Sequence, residues 1–140
     1  MVAVNNLANH YTARGQPERA LPLLTDVLGM QQEHLYEGHP HTLASQFNLA
    51  AAYRDLGQFE QAEVNLITVL EGARHKLGAS NPTTIRYTVA LCNLYLDHTK
   101  EPAKAIPLIE QVVAVTPIDD PAYANRKSLL DRLLSEQDQP

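Results

Sequence analysis

One spacing constrains this chain more than any other property: its residues recur every 42 positions. Leu7, Ala8 and Tyr11 return as Leu49, Ala50 and Tyr53, and Gly15 and Ala20 return as Gly57 and Ala62. Leu91 and Tyr95 continue the series, and the tract His39–Leu43 (HPHTL) is matched by Asn81–Ile85 (NPTTI) at the same offset. A period of this size means copies of one supersecondary unit, each unable to bury its apolar face alone and each covered by its neighbours. Past Tyr95 the register slips. Ala62 is matched by Ala105, an offset of 43, which predicts a one-residue insertion in the turn His98–Pro102 (HTKEP).

Within a copy the apolar period is helical. Leu43, Gln46, Leu49, Ala50, Tyr53 and Leu56 advance by three and four, and after Gly57 so do Ala62, Leu66, Val69, Leu70, Ala73 and Leu77, the stripe of an amphipathic helix. Each copy therefore predicts a helix pair, and no segment carries the period of two that a strand needs. Pro40 and Pro82 suit a first helical position behind His39 and Asn81, while Gly15 and Gly57 suit a helix C-terminus. Pro22 and Pro107 stand early in the second helices of their copies, where a lost backbone bond bends a helix without ending it. Tyr53, with a copy on each side, is expected to be a buried core aromatic.

The order small-Tyr-x-x-x-Gly-x-x-x-x-Ala, carried by Ala50, Tyr53, Gly57 and Ala62, resembles the tetratricopeptide repeat, and residues 42–63 are similar to its kinesin light chain variety. The common repeat has about 34 residues; the longer period here adds about two helical turns, placed in the second helices of the first two copies. Pro117, where the common repeat has its closing proline, predicts a shorter third pair. The expected fold is an all-α, right-handed α-solenoid in one domain over 1–140. Repeat 1 spans about 1–38, repeat 2 about 39–80, repeat 3 about 81–117, and a capping helix about 119–136. Met1 stands where Leu43 stands in copy two, without the preceding Pro-x-Thr lead-in, which reads as the end of a longer array.

By this resemblance the first helices line a concave, peptide-binding groove. Its residues would be Asn5, Asn6, Asn9 and Thr12, then Phe47, Asn48, Ala51, Arg54 and Asp55, then Arg86, Val89, Asn93, Leu96 and Asp97. Asparagine offers donors and an acceptor together, so it can hold the N–H and C=O of an extended peptide without reading its side chains. Asn6 and Asn48 lie 42 apart, and Asn9 and Asn93 lie 84 apart. Arg54 and Arg86 are the groove's cations, suited to a partner carboxylate, and Phe47 offers an apolar anchor. The family's clamp for chaperone tails uses lysines on its first helices. None occurs before Lys76, so such a tail is not a favoured ligand.

The chemistry-bearing residues point away from catalysis. There is no glycine-rich phosphate loop, nucleophile elbow or paired-carboxylate motif, so neither an enzyme nor a cofactor is expected. His34, His39 and His41 lie close together but lack a carboxylate or thiol at zinc spacing, and no metal is expected. Cys92 is the single cysteine and takes the small-residue position of Ala8 and Ala50; a packed, reduced thiol fits a cytoplasmic protein. A net charge of −5, with no run of Lys and Arg, argues against nucleic acid. The N-terminus does not read as a signal peptide, and no apolar run approaches a membrane span. Composition is that of a folded chain, 44% hydrophobic and 19% charged. The expected partner is a protein or peptide, with self-association compatible. The alternative is a structural or regulatory segment of a larger scaffold that packs against other domains or itself.

Overall fold

The computed structural model describes residues 2–35 and 38–137; the correspondence drawn for Met1 lies outside them. Among the described residues there are seven α-helices and no strand: α1 Val2–Ala13, α2 Pro17–His34, α3 Pro40–Asp55, α4 Phe59–Leu77, α5 Pro82–Asn93, α6 Pro102–Val115 and α7 Pro121–Gln137. A π-helical turn, Leu94–His98, continues α5 directly. The pairs are α1 with α2, α3 with α4, and α5 with α6. Second helices of 18 and 19 residues in the first two copies give way to 14 in the third, the shortening that Pro117 foretells.

Three helix starts, those of α3, α5 and α7, follow one local rule. Proline at the first helical position has no N–H to satisfy, and the residue before it accepts the next orphan donor. His39 Nδ1 accepts from the His41 N–H at 3.1 Å, Asn81 Oδ1 from the Thr83 N–H at 2.9 Å, and Asp120 Oδ1 from the Ala122 N–H at 2.7 Å. His39 thus serves α3 as its N-cap. Pro22 and Pro107 lie inside continuous helices, as their early positions permit.

The ends of the first helices show where copy three departs. In copy two the Gly57 N–H reaches the Arg54 carbonyl at 2.9 Å and the Gln58 N–H reaches the Tyr53 carbonyl at 2.9 Å. This bond pair closes a helix around a left-handed residue, and Gly57 has φ +73°. Copy one repeats it, with Gln16 bonding to Tyr11 at 2.9 Å. In copy three the equivalent tyrosine carbonyl, Tyr95, accepts from Glu101, one residue further on, at 2.7 Å, and Thr99 bonds five residues back to Leu94 at 3.0 Å. The extra residue therefore widens the last turn of the helix; it does not lengthen the connecting turn. A helix absorbs one inserted residue as a π-turn while keeping its backbone bonded. The left-handed corner falls on Lys100, at φ +59°.

The chain forms two compact units, residues 1–76 and 77–140. In the first, α2 packs on α1 and α3 around Ala8, Ala20, Leu24, Leu28, Leu49 and Ala52, with Tyr11, Leu21, Leu23 and Tyr53 partly buried beside them. The alanines let the helix axes approach closely, and each fully buried leucine contributes about 1.5–3 kcal/mol. Burial departs from the repeat register at Leu7 and from expectation at Tyr53. Leu7 is 45% exposed where its counterparts Leu49 and Leu91 are 5% and 3% exposed, because no described helix lies ahead of α1 to cover it. Tyr53 is half-buried, its ring at the edge of this cluster.

In the second unit α6 packs on α5 and on α7. Its interior holds Tyr87, Leu91, Leu94, Tyr95, Ile106, Ile109 and Val112. Cys92 is buried, its thiol directed at the Ala105 carbonyl at 3.9 Å, as its small-residue position implied. The seventh helix seats Leu130 and Leu133 in the interior. Arg126 Nη1 donates to Thr116 Oγ1 at 2.7 Å, tying α7 to the end of α6. Lys127 and Asp131 pair on its exposed side.

Candidate functional site

Three of the groove residues sit together on α1 and α3, which lie side by side in the first unit. Asn5 and Asn48 are both half-buried, and Asn48 Nδ2 donates to Asn5 Oδ1 at 3.3 Å. Phe47, next to Asn48 on α3, is also half-buried. Asn5, Asn9 and Thr12 follow one another by one turn on α1, the spacing of a single face. Asn9 and Asn6 are exposed. Thr12 is half-buried and turns its hydroxyl back onto the Ala8 carbonyl at 3.1 Å.

Asn6 and Asn48 share a repeat register but not an environment. The partner of Asn48 is Asn5, not Asn6, so the bond crosses the copies at an offset of 43. Asparagine at every register position would have been the stronger signal. The bond uses one of two amide protons on Asn48 and one carbonyl lone pair on Asn5, leaving each side chain further capacity.

The cation assigned to Arg54 is already paired within its own helix. Its Nη2 and Nε lie 2.7 and 2.9 Å from the same oxygen of Asp55, a contact between sequence neighbours that the repeat pattern did not foretell. Ala51 beside them is half-buried. In the second unit Arg86 is exposed on α5, its guanidinium 5.2 Å from the ring centroid of Tyr87. Asn93 and Asp97 are exposed, whereas Val89 and Leu96 are half-buried.

Among the described residues no group of three or more His, Cys, Asp or Glu could hold a metal ion. His39 and His41 stack with centroids 5.3 Å apart, and His39 spends its Nδ1 on the cap of α3. No helix of the described residues is long and apolar enough to cross a membrane.

The tetratricopeptide repeat model matches residues 1–74 and again 42–117, so successive matches begin 41 residues apart, close to the 42-residue period. The chain belongs to the tetratricopeptide repeat family. Repeats of this family generally mediate contacts between proteins. A search of curated proteins gives no significant match. Among solved structures, the chain is similar to a putative kinesin light chain of Podosopora anserina with nearly identical TPR-like repeats, at 29% identity and a TM-score of 0.79. A single-substitution variant of that protein matches at 29% identity and a TM-score of 0.80. Both matches cover 96% of this chain and 65% of theirs, so this tetratricopeptide chain spans about two thirds of the length of the structures it resembles.

Proposed function

We propose that this tetratricopeptide array acts in the cytoplasm as a protein-interaction module that holds an extended segment of a partner across its first helices and performs no chemistry of its own. The observation that carries this reading is the Asn48–Asn5 hydrogen bond, which presets two amide side chains across neighbouring helices. Their remaining donor and acceptor groups suit a peptide backbone, and Phe47 supplies an apolar contact beside them. Asn6 and Asn9 add exposed amides in the first unit, and Asn93 and Arg86 present an exposed amide and an exposed cation in the second. Arg54 contributes through its pair with Asp55, which a partner carboxylate would have to displace.

The test is selection of extended peptides from a random display library on the whole chain, followed by the triple variant Asn6→Ala, Asn48→Ala, Asn93→Ala. Each amide should contribute about 0.5–1.5 kcal/mol to binding, so the triple variant should fold and lose capture. Gln61→Ala with Asn65→Ala, on a second helix, should bind as before. Capture retained by the triple variant and lost by the control would move the site off the first helices.

A second reading has its own support. The chain spans 65% of the length of its structural relatives, which fits a segment of a larger scaffold whose first helices pack against another part of that protein.

A further inference from the structure

We propose that the side of α1 carrying Ala3, Leu7 and His10 is a docking surface for an amphipathic helix of a partner protein, one that presents aliphatic side chains at i and i+4. All three residues are exposed. Their counterparts one copy on, Ser45, Leu49 and Ala52, are buried, and so are Tyr87, Leu91 and Leu94 two copies on. A single exposed leucine is ordinary on a protein surface. Here the whole register position is interior in copies two and three and open only in copy one.

The interface one register on identifies the occupant. In the first unit α2 packs on α3, and Leu24 and Leu28 of α2 share a buried cluster with Leu49 and Ala52 of α3. Leu24 and Leu28 stand one turn apart on a single side of α2. Because α1 offers the register that α3 offers, it suits a helix with the same aliphatic stripe. His10 replaces Ala52, and the buried Leu94 at that register shows that a side chain of about this length is accommodated there. The imidazole differs from leucine in needing a hydrogen-bond partner or water at the rim of the contact.

A second copy of this chain has no such stripe to give. Leu24 and Leu28 on α2, Leu66 and Leu70 on α4, and Ile109 on α6 are all buried within the chain itself, and α6 already has α7 packed on it. The helix that covers α1 therefore belongs to a different protein. Its surface is separate from the asparagine set, since at 3.6 residues per turn Asn5 lies about 160° around α1 from Leu7. The inference does not rest on a peptide being held by the asparagines.

The probe is a synthetic peptide of α2, residues 17–34, held helical by a side-chain lactam on its exposed side because short isolated helices are marginal in water. It is titrated into the whole chain while backbone amide shifts are followed by NMR. Saturable shifts are expected at Ala3, Leu7 and His10. Leu7→Asp should weaken binding by at least about tenfold, because a carboxylate would be buried against leucines, and Ala3→Asp provides the same comparison should Leu7→Asp fold poorly. A peptide carrying Leu24→Asp and Leu28→Asp should not bind, whereas Asn9→Ala in the chain should bind as before, which separates this surface from the asparagine set. The proposal is overturned by shifts that never saturate, or by unchanged binding in Leu7→Asp and Ala3→Asp. Shifts at Leu49 and Ala52 in place of α1 would overturn it as exchange with the chain's own α2. A parent chain that sediments as a dimer beside a monomeric Leu7→Asp variant would overturn it by assigning the surface to a second copy.

Discussion

Asn48 on α3 donates its side-chain amide to the side-chain carbonyl of Asn5 on α1 across 3.3 Å, joining the first helices of two successive copies. Both residues are half-buried, so the bond is partly shielded from water. Asn48→Ala should lower the stability of the chain by about 0.5–1.5 kcal/mol in urea unfolding. Adding Asn5→Ala to that variant should cost little more, because the pair is already broken. Fully additive losses would show that the two side chains act independently.

The burial of the tyrosines ranks their truncations. Tyr87 is 1% exposed, so Tyr87→Ala should cost about 3–5 kcal/mol, the range for emptying a large aromatic site. Tyr53 is half-buried at the edge of its cluster, and Tyr53→Ala should cost about 1–3 kcal/mol. Denaturant midpoints that place Tyr53 above Tyr87 would contradict the packing described for both units.

Lys100 holds the left-handed corner after the π-turn, at φ +59°, where copies one and two have glycine. A side chain with a Cβ is disfavoured there by about 1–2 kcal/mol, part of which the greater freedom of unfolded glycine cancels. Lys100→Gly should therefore raise stability by about 0.5–1 kcal/mol in equilibrium unfolding. A loss of stability would mean that the lysine side chain contributes more than its backbone strain costs.

His39 caps α3 through an imidazole nitrogen where Asn81 caps α5 through an amide oxygen. His39→Ala should cost about 0.5–2 kcal/mol, and His39→Asn should recover most of it. Equal losses for the two variants, read as melting temperatures at neutral pH, would assign the role of His39 to packing.

Deleting residues 119–140 removes Leu130 and Leu133 from the interior of the second unit and frees Thr116 from Arg126. The exposed face of α6 should cause aggregation or fraying from that end, seen in size-exclusion profiles and in lost amide protection of α6. A monomer with unchanged protection would deny α7 its capping role.

The helix pairs were legible in the sequence because their signals are local. Pro40 and Pro82 open helices, Gly15 and Gly57 close them, and the small residues Ala8, Ala50 and Cys92 mark close contact, each through backbone or side-chain geometry within a few residues. The candidate site was legible only as a register. Asn5, Asn6 and Asn48 were named together, but which two would bond depends on how α1 and α3 lie against each other. The pairing of Arg54 with Asp55 depends on rotamers that a repeat pattern does not encode.

The sequence by itself determined the period, the number of helices, the places where they start and stop, and the shorter third pair, all of which follow from short-range backbone chemistry repeated along the chain. The tertiary structure alone decided which residues at an equal register are covered. Leu7 is exposed where Leu49 is buried, and Tyr87 and Ser45 are buried at one register although neither continued an apolar stripe. It also decided that the extra residue of copy three widens a helix. Burial belongs to the neighbour that arrives from elsewhere in the chain, and equivalent positions in a repeat have different neighbours where no described helix covers one of them or where the register slips.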